Sequence, residues 1–253
     1  MFMPIPIGDD NSDRHSPPFI NYLLIALNIF VFIFWQQFGS NLPLTFAYAT
    51  VPLEILTGRD VVTDSKILMD PYTRQQFEMP GLQITPVPVF FTLLTSAFLH
   101  GGFGHLLGNM LYLWIFGDNL ENRLGHFRYL AFYLLTGVLA GLAHVFSTSL
   151  LGQNLLIPSL GASGAISGVL GGYIVLFPTR SIRMWFILFS LRIPALIVVG
   201  LWFVFQVMNG LGSLGGEEAG GVAYAAHIGG FIAGLLLIKS FAKNAPVPKS
   251  KSY

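Results

Sequence analysis

The feature that most constrains this chain is the length of its uncharged segments. Residues 129–179 contain no Asp, Glu, Lys or Arg, and only 10% of the 253 residues are charged while 53% are hydrophobic. Soluble domains carry roughly 25% charged residues. A charge-free apolar window of about 17 to 25 residues is long enough to cross a bilayer as a helix. The sequence therefore predicts an all-α polytopic membrane protein.

Six windows of the chain fit membrane-spanning helices. They lie near residues 21–38, 104–117, 129–146, 162–177, 194–208 and 222–238. The second and fourth windows are rich in glycine and polar residues, which is typical of helices buried inside a bundle rather than facing lipid. We therefore expect six transmembrane helices, of which the fourth is short and central.

Basic residues follow alternate windows. These residues are Arg123 and Arg128 after the second window, Arg180, Arg183 and Arg192 after the fourth, and Lys239, Lys243, Lys249 and Lys251 after the sixth. The connections 148–160 and 209–221 contain no Lys or Arg, only Glu217 and Glu218 as charges. Because basic loops stay in the cytoplasm, both termini are predicted to be cytoplasmic. No organelle presequence is visible, so a bacterial inner membrane is favoured, with thylakoid and archaeal membranes left open.

Three segments lie outside the predicted spans. Residues 1–18 contain several prolines and aspartates and predict a disordered cytoplasmic tail, and residues 241–253 predict a basic cytoplasmic tail. Residues 39–99 form one long extracytoplasmic loop within the six-span unit 19–240, too long for a simple turn. Two interpretations of this loop stay open, a lateral flap partly embedded in the membrane and a plain external loop.

Composition excludes several functions. The chain has no cysteine, which removes disulfides, thiol catalysis and cysteine-bound metals. Its 13 basic and 12 acidic residues nearly balance and form no basic stripe, so nucleic acid is not an expected partner. No carboxylate pair lies within a span, and no HExxH motif is present, so we expect neither aspartyl chemistry nor a zinc site, and no cofactor.

Four polar residues are predicted to lie at a similar depth in the membrane. At about 1.5 Å per helical residue, Ser163 lies roughly 21 Å, His227 roughly 17 Å and His105 roughly 18 Å from the cytoplasmic ends of their helices. In a hydrocarbon core of about 30 Å, Ser163 is then ~9 Å from the outer surface, so the fourth helix starts inside the membrane. Asn109 follows His105 by one turn on the same face.

Small residues on two helices predict close packing around this level. They are Gly164, Gly168 and Gly172 on the fourth window and Ala226, Gly230 and Gly234 on the sixth. This contact would bring the imidazole of His227 to the hydroxyl of Ser163. A serine becomes a good nucleophile when an adjacent base takes its proton, and neutral imidazole suits that task near pH 7. His105, Asn109 and free backbone N–H groups could then stabilise an oxyanion.

Each polar residue also has a simpler explanation. Ser163 alone fits a helix-packing face, and His227 alone fits a helix–helix hydrogen bond. Polar residues inside a membrane tend to be functional, however, and the combination favours catalysis. His100 and His144 are expected to be structural, and Ser167 is expected to serve packing. His126 is expected to be solvated.

Three segments resemble the signatures of the rhomboid intramembrane serine proteases. They are HGGFGHLLGNM at 100–110, GASGAISG at 161–168 and AHIGG at 226–230, in the family's order and spacing. The resemblance covers residues from about 19 to 240. It implies that Ser163 is the nucleophile, His227 the general base, and His105 and Asn109 oxyanion donors.

The resemblance also implies a rhomboid-like bundle of six helices with a water-filled cavity that opens outward. Substrates would be transmembrane proteins that enter laterally from the lipid bilayer. The chain departs from some members in having no Trp-Arg pair within 39–99 and in having Ser167 where they have an aromatic ring. The expected function is an intramembrane serine endopeptidase that acts through an acyl-enzyme. The alternative is a non-catalytic rhomboid-like membrane-protein chaperone or a small-solute transporter.

Overall fold

The structure, a computed structural model, describes residues 4–69, 74–212 and 223–243, and most of them are helical. The helices are α1 (Phe19–Phe30), which continues as a π-helix (Val31–Trp35), α2 (Leu42–Tyr48), α3 (Pro52–Thr57), α4 (Thr92–Thr95), α5 (Phe103–Leu124), α6 (His126–Leu150), α7 (Ser163–Leu176), α8 (Ala195–Gly212) and α9 (Tyr224–Ala242). Two 3₁₀ turns, Val89–Phe91 and Ser96–Phe98, flank α4. Each of the six windows coincides with a helix, namely α1 with its π-turn and α5 to α9.

The prediction of an all-α protein is wrong in one respect, because short strands lie before and between the helices. They are β1 (Ile5–Asp9), β2 (Lys66–Met69), β3 (Gln76–Met79), β4 (Ser181–Trp185) and β5 (Ser190–Pro194). β4 pairs antiparallel with both β1 and β5, and β2 pairs antiparallel with β3. Backbone N–H and C=O groups outside helices need partners, and pairing between these connections supplies them. The fold is thus mostly helical, with two small sheets in the described residues.

The amino-terminal segment also departs from its prediction of disorder. Beyond the β1–β4 pairing, the Asp9 carboxylate accepts hydrogen bonds from the Tyr173 hydroxyl at 2.5 Å and from the Asn119 amide at 2.6 Å. Arg180 forms an ion pair with Asp13 at 2.6 Å. Burial is the main cause that raises the pKa of the Asp9 carboxyl to about 7. Residues 4–18 are thus fastened across the ends of α5 and α7.

Several helices are apolar enough to cross a membrane. In the part of the chain that the structure describes, α6, α8 and α9 are long and apolar enough by themselves. The segments Val89–Phe98 and Phe103–Leu124 pass the same test as a pair bent by 83°. The apolar helices Phe19–Trp35 and Ser163–Leu176 are shorter. The chain is a multi-pass membrane protein.

Helix α7 occupies the centre of the bundle, between α5, α6 and α9. A Cβ atom added at Gly230 of α9 would lie 2.2 Å from the carbonyl oxygen of Gly164, and one at Gly234 would lie 2.1 Å from that of Gly168. The backbones of α7 and α9 therefore touch, and only glycine permits this approach. The predicted contact between these two small-residue faces is confirmed.

The long first loop, residues 39–99, packs on the segment that leads into α7. Thr50 and Ser159 exchange backbone hydrogen bonds of 2.9 and 2.8 Å, and the backbone N–H of Gly161 donates to the Ser96 carbonyl at 2.8 Å. A small apolar cluster of Ile55, Leu93 and Val145 joins the loop to α6. The loop is therefore anchored on protein close to the start of α7.

Parts of some predictions lie outside the described residues. These parts are Val222, the connection with Glu217 and Glu218, and most of the predicted basic tail, including Lys249 and Lys251.

Candidate active site

The two residues predicted to form a dyad are in hydrogen-bond contact. Nε2 of His227 lies 2.8 Å from Oγ of Ser163. Ser163 is the first residue of α7, and His227 lies in the first turns of α9. Both residues are half-buried. Gly164 directly follows Ser163, and Gly230 lies one turn after His227. The helix backbones touch at these two glycines, and this brings the two side chains together.

The turn into α7 depends on Gly161. Its φ angle is +124°, a backbone conformation that residues with a side chain rarely adopt. A Cβ atom here would lie 2.8 Å from Cε1 and 2.9 Å from Nε2 of His105. The same position is 3.7 Å from Oγ of Ser163. The imidazole of His105 therefore packs where a side chain at Gly161 would lie, close to the serine hydroxyl.

The hydrogen bonding of His105 determines which of its nitrogens carries the proton. The backbone N–H of Gly101 donates to Nδ1 of His105 at 3.3 Å. In a neutral imidazole one nitrogen accepts and the other donates, so Nε2 carries the hydrogen. This N–H lies on the edge of the ring that faces Gly161. An uncharged donor is therefore available next to the serine.

Asn109 lies one turn further along α5. The residue is only 7% exposed, and its Nδ2 atom has no hydrogen-bond partner among the described residues. Buried amide donors are nearly always paired in folded proteins. The Nδ2 atom of Asn109 is therefore available to donate a hydrogen bond to a ligand.

Three neighbours of His227 were missed by the sequence reasoning. Oε1 of Gln206 lies 2.8 Å from Nδ1 of His227. The rings of Trp202 and Tyr224 lie 6.1 and 6.4 Å from the imidazole, centroid to centroid. An amide within the apolar run LWFVFQVM was a usable signal, because polar residues within spans tend to be functional.

His100, His126 and Ser167 take other positions. The His100 ring is fully buried and packs edge-on against that of His105 at 5.2 Å, while its backbone pairs with the side-chain amide of Gln36. Ser167 is buried and donates to the Ser163 carbonyl at 2.6 Å, which fits the predicted packing role. His126 begins α6 and contacts the carboxylate of Glu121 rather than being fully solvated.

Fold and site together define a multi-pass membrane protein with a serine–histidine pair in its helical interior. The rhomboid domain family model matches residues 88–244, which is more than half of the chain, and the chain belongs to the rhomboid family.

Three relatives illustrate the similarity. The chain is 31% identical over 233 residues to the mitochondrial rhomboid protein 1 of Saccharomyces cerevisiae, covering 88% of this chain and 56% of that protein. It is 35% identical over 223 residues to the rhomboid protease GluP of Bacillus subtilis, covering 87% and 34%. It is 37% identical over 145 residues to RHOMBOID-like protein 4 of Arabidopsis thaliana, covering 57% and 32%. The chain thus spans from about a third to just over half of the length of these relatives.

Proposed function

We propose that this chain is an intramembrane serine endopeptidase that hydrolyses peptide bonds in or near the transmembrane segments of membrane proteins. The observation that supports this most is the 2.8 Å contact between Nε2 of His227 and Oγ of Ser163 inside a bundle of apolar helices. Family membership supports the same class of reaction.

In the proposed reaction Oγ of Ser163 attacks the scissile carbonyl carbon while Nε2 of His227 takes the hydroxyl proton. The imidazolium then gives that proton to the leaving amine as the C–N bond breaks, which leaves an acyl-enzyme on Ser163. A water molecule, deprotonated by His227, hydrolyses the ester and releases the carboxylate product. The proton returns to Oγ, so both residues are regenerated.

The proposed oxyanion donors are His105 and Asn109, together with the free backbone N–H groups at the start of α7. A neutral N–H of His105 lies against Gly161 near the serine hydroxyl, and Asn109 has a buried donor without a partner in the described residues. Such donors are most effective where bulk water is scarce and the groups are already oriented. The developing negative charge would therefore be stabilised without any metal ion.

The membrane arrangement is part of the proposal. We place six spans within the catalytic unit 19–240, with α7 starting inside the bilayer, both termini cytoplasmic and the loop 39–99 external. The alternation of basic connections supports this orientation. Transmembrane substrates would enter laterally from the lipid, and water would reach the site from outside. We assign the protein to a plasma membrane, which in a bacterium is the inner membrane.

The test uses the purified full chain in detergent with a model transmembrane substrate and a fluorophosphonate probe. We expect the wild type to cleave the substrate and to be labelled by the probe. Ser163→Ala should lose both activities, and His227→Ala should lose turnover. Undiminished cleavage by either variant would overturn the dyad. A wild type that neither cleaves nor reacts would favour a chaperone or transporter.

A further inference from the structure

The imidazole of His227 has a second hydrogen-bond partner besides Ser163. Its Nδ1 atom lies 2.8 Å from Oε1 of Gln206, which projects from α8 and is only 5% exposed. We propose that Gln206 is a positioning residue that holds His227 in the tautomer with its proton on Nδ1. This inference rests on the proposed serine-protease function and adds a third member to its dyad.

The two nitrogens of a neutral imidazole differ in their protonation. One carries a hydrogen and the other a lone pair, and the partner of one nitrogen decides the state of both. An amide oxygen can only accept, so the contact with Oε1 of Gln206 puts the hydrogen on Nδ1. Nε2 then presents its lone pair to the hydroxyl of Ser163. This is the state that a general base requires before the nucleophile attacks.

In soluble Ser–His–Asp proteases a buried carboxylate performs this orienting task. No Asp or Glu occurs in the sequence of α8 or α9, so the neutral amide of Gln206 takes the place of that carboxylate. A neutral amide can be buried in an apolar bundle without taking a charge out of water, whereas burying an unpaired carboxylate would be costly. A neutral orienting group therefore suits a catalytic site that lies among apolar helices.

A second residue of α8, Trp202, lies beside the imidazole. The ring of Trp202 lies 6.1 Å from that of His227 at an interplanar angle of 36°. Trp202 precedes Gln206 by four residues, so both project from the same face of α8. Trp202 lies to one side of the ring, and Gln206 contacts its Nδ1 end. Together they leave Nε2 directed at Ser163.

A purely structural role for Gln206 makes a different prediction. The buried side chains of α8 are Ala195, Val199 and Gln206, so this hydrogen bond could serve mainly to tie α8 to α9. Losing such a tie would lower stability without changing which nitrogen of His227 carries the proton. The reverse amide orientation, with Gln206 donating to Nδ1, would put the hydrogen on Nε2 and leave Ser163 without a base. The test must therefore report the position of the proton.

The first measurement is kinetic and uses two substitutions that differ in their ability to accept. Gln206→Met has a similar volume but no acceptor oxygen, and Gln206→Glu can accept. We expect Gln206→Met to lower kcat about 10- to 100-fold with little change in KM, the size of effect typical of groups that orient metal-binding histidines. Gln206→Glu should retain kcat within about 10-fold of wild type, as a rescue of the lost acceptor.

A matched control on the same helix is Asn209→Leu. The Asn209 amide donates to the Phe205 carbonyl of its own helix at 2.7 Å and has no part in the site. This variant also replaces a polar residue of α8 by an apolar one, so it should cleave as the wild type does. Equal losses in Asn209→Leu and Gln206→Met would show that α8 simply tolerates no such change, and would overturn the positioning role.

The second measurement is nitrogen NMR of the wild type with labelled histidine, assigned through His227→Ala. We expect a protonated Nδ1 and an unprotonated Nε2 at His227, and a mixture of tautomers in Gln206→Met. A hydrogen on Nε2 in the wild type would overturn the proposal, as would wild-type kinetics in Gln206→Met. If Gln206→Met does not fold, the wild-type spectrum and the kcat of Gln206→Glu test the proposal instead. A wild type that neither cleaves nor reacts with a fluorophosphonate would instead overturn the proposed function, and the spectrum would still test Gln206.

Discussion

The contact between α7 and α9 can be tested by one added methyl group, in Gly230→Ala. The new Cβ would lie 2.2 Å from the Gly164 carbonyl oxygen, whereas ordinary contacts begin near 3.4 Å. The two helices must therefore separate locally by about 1.2 Å, the difference between those distances. His227 precedes Gly230 by one turn and would move with it. Its 2.8 Å contact with Ser163 would then lengthen to about 4 Å, beyond hydrogen-bonding distance.

We expect this displacement to lower kcat/KM by about 10²-fold, since a misplacement of about 1 Å has that effect on a catalytic group. Overpacking should also lower the free energy of unfolding by about 1–3 kcal/mol. Cleavage and fluorophosphonate labelling would be measured on the monodisperse fraction, with a thermal unfolding curve. Gly200→Ala is the matched control, because a Cβ there would meet open space. A folded Gly230→Ala variant with wild-type kinetics would refute the argument that this contact sets the dyad geometry.

Three further predictions follow from the site, the amino-terminal segment and the basic loops. Asn109→Ala should keep residual cleavage but lose about 10²- to 10³-fold in kcat, as expected for one lost oxyanion donor, and a folded variant with unchanged kinetics would remove Asn109 from that role. The raised pKa of Asp9 means that its protonated form stabilises the fold, so this contribution should be complete below about pH 4 and lost as the pH rises through about 7. The unfolding temperature in detergent should therefore be higher at pH 5 than at pH 8, and Asp9→Asn should reduce this difference. An equal difference in both proteins would contradict the role of Asp9. Reporter fusions at Arg123 and Arg183 should be cytoplasmic, and external reporters would reverse the proposed orientation.

Much of the site could be predicted because its signals are local in sequence. The charge-free windows and the period of an α-helix give the positions of the helices, and counting along them gives the relative depth of Ser163 and His227. The small residues around Gly164 and Gly230 indicate which faces meet, because small side chains let helix backbones approach closely. The structure shows the contact that these faces predict, because the two side chains lie 2.8 Å apart.

The strands and the amino-terminal segment could not be predicted in the same way. β1 pairs with β4, which is more than 170 residues away, and neither segment has an alternating pattern strong enough to predict a strand. In the sequence, Asp9 is one of several acidic residues in a polar segment, and nothing there indicates its hydrogen bonds with Tyr173 and Asn119. Such partners are set by how the helix ends come together, and no local pattern describes that.

The sequence by itself determined that this chain spans a membrane, which helices touch, and which serine and histidine meet, because apolar length, residue size and helical period are properties of short segments. Only the tertiary structure decided what orients the histidine. Gln206 contacts His227 because of the rotation and tilt of α8 against α9, which depend on packing across the whole bundle. A hydrogen bond between side chains has a narrow range of distance and angle, so small rigid-body changes in that packing determine whether it forms.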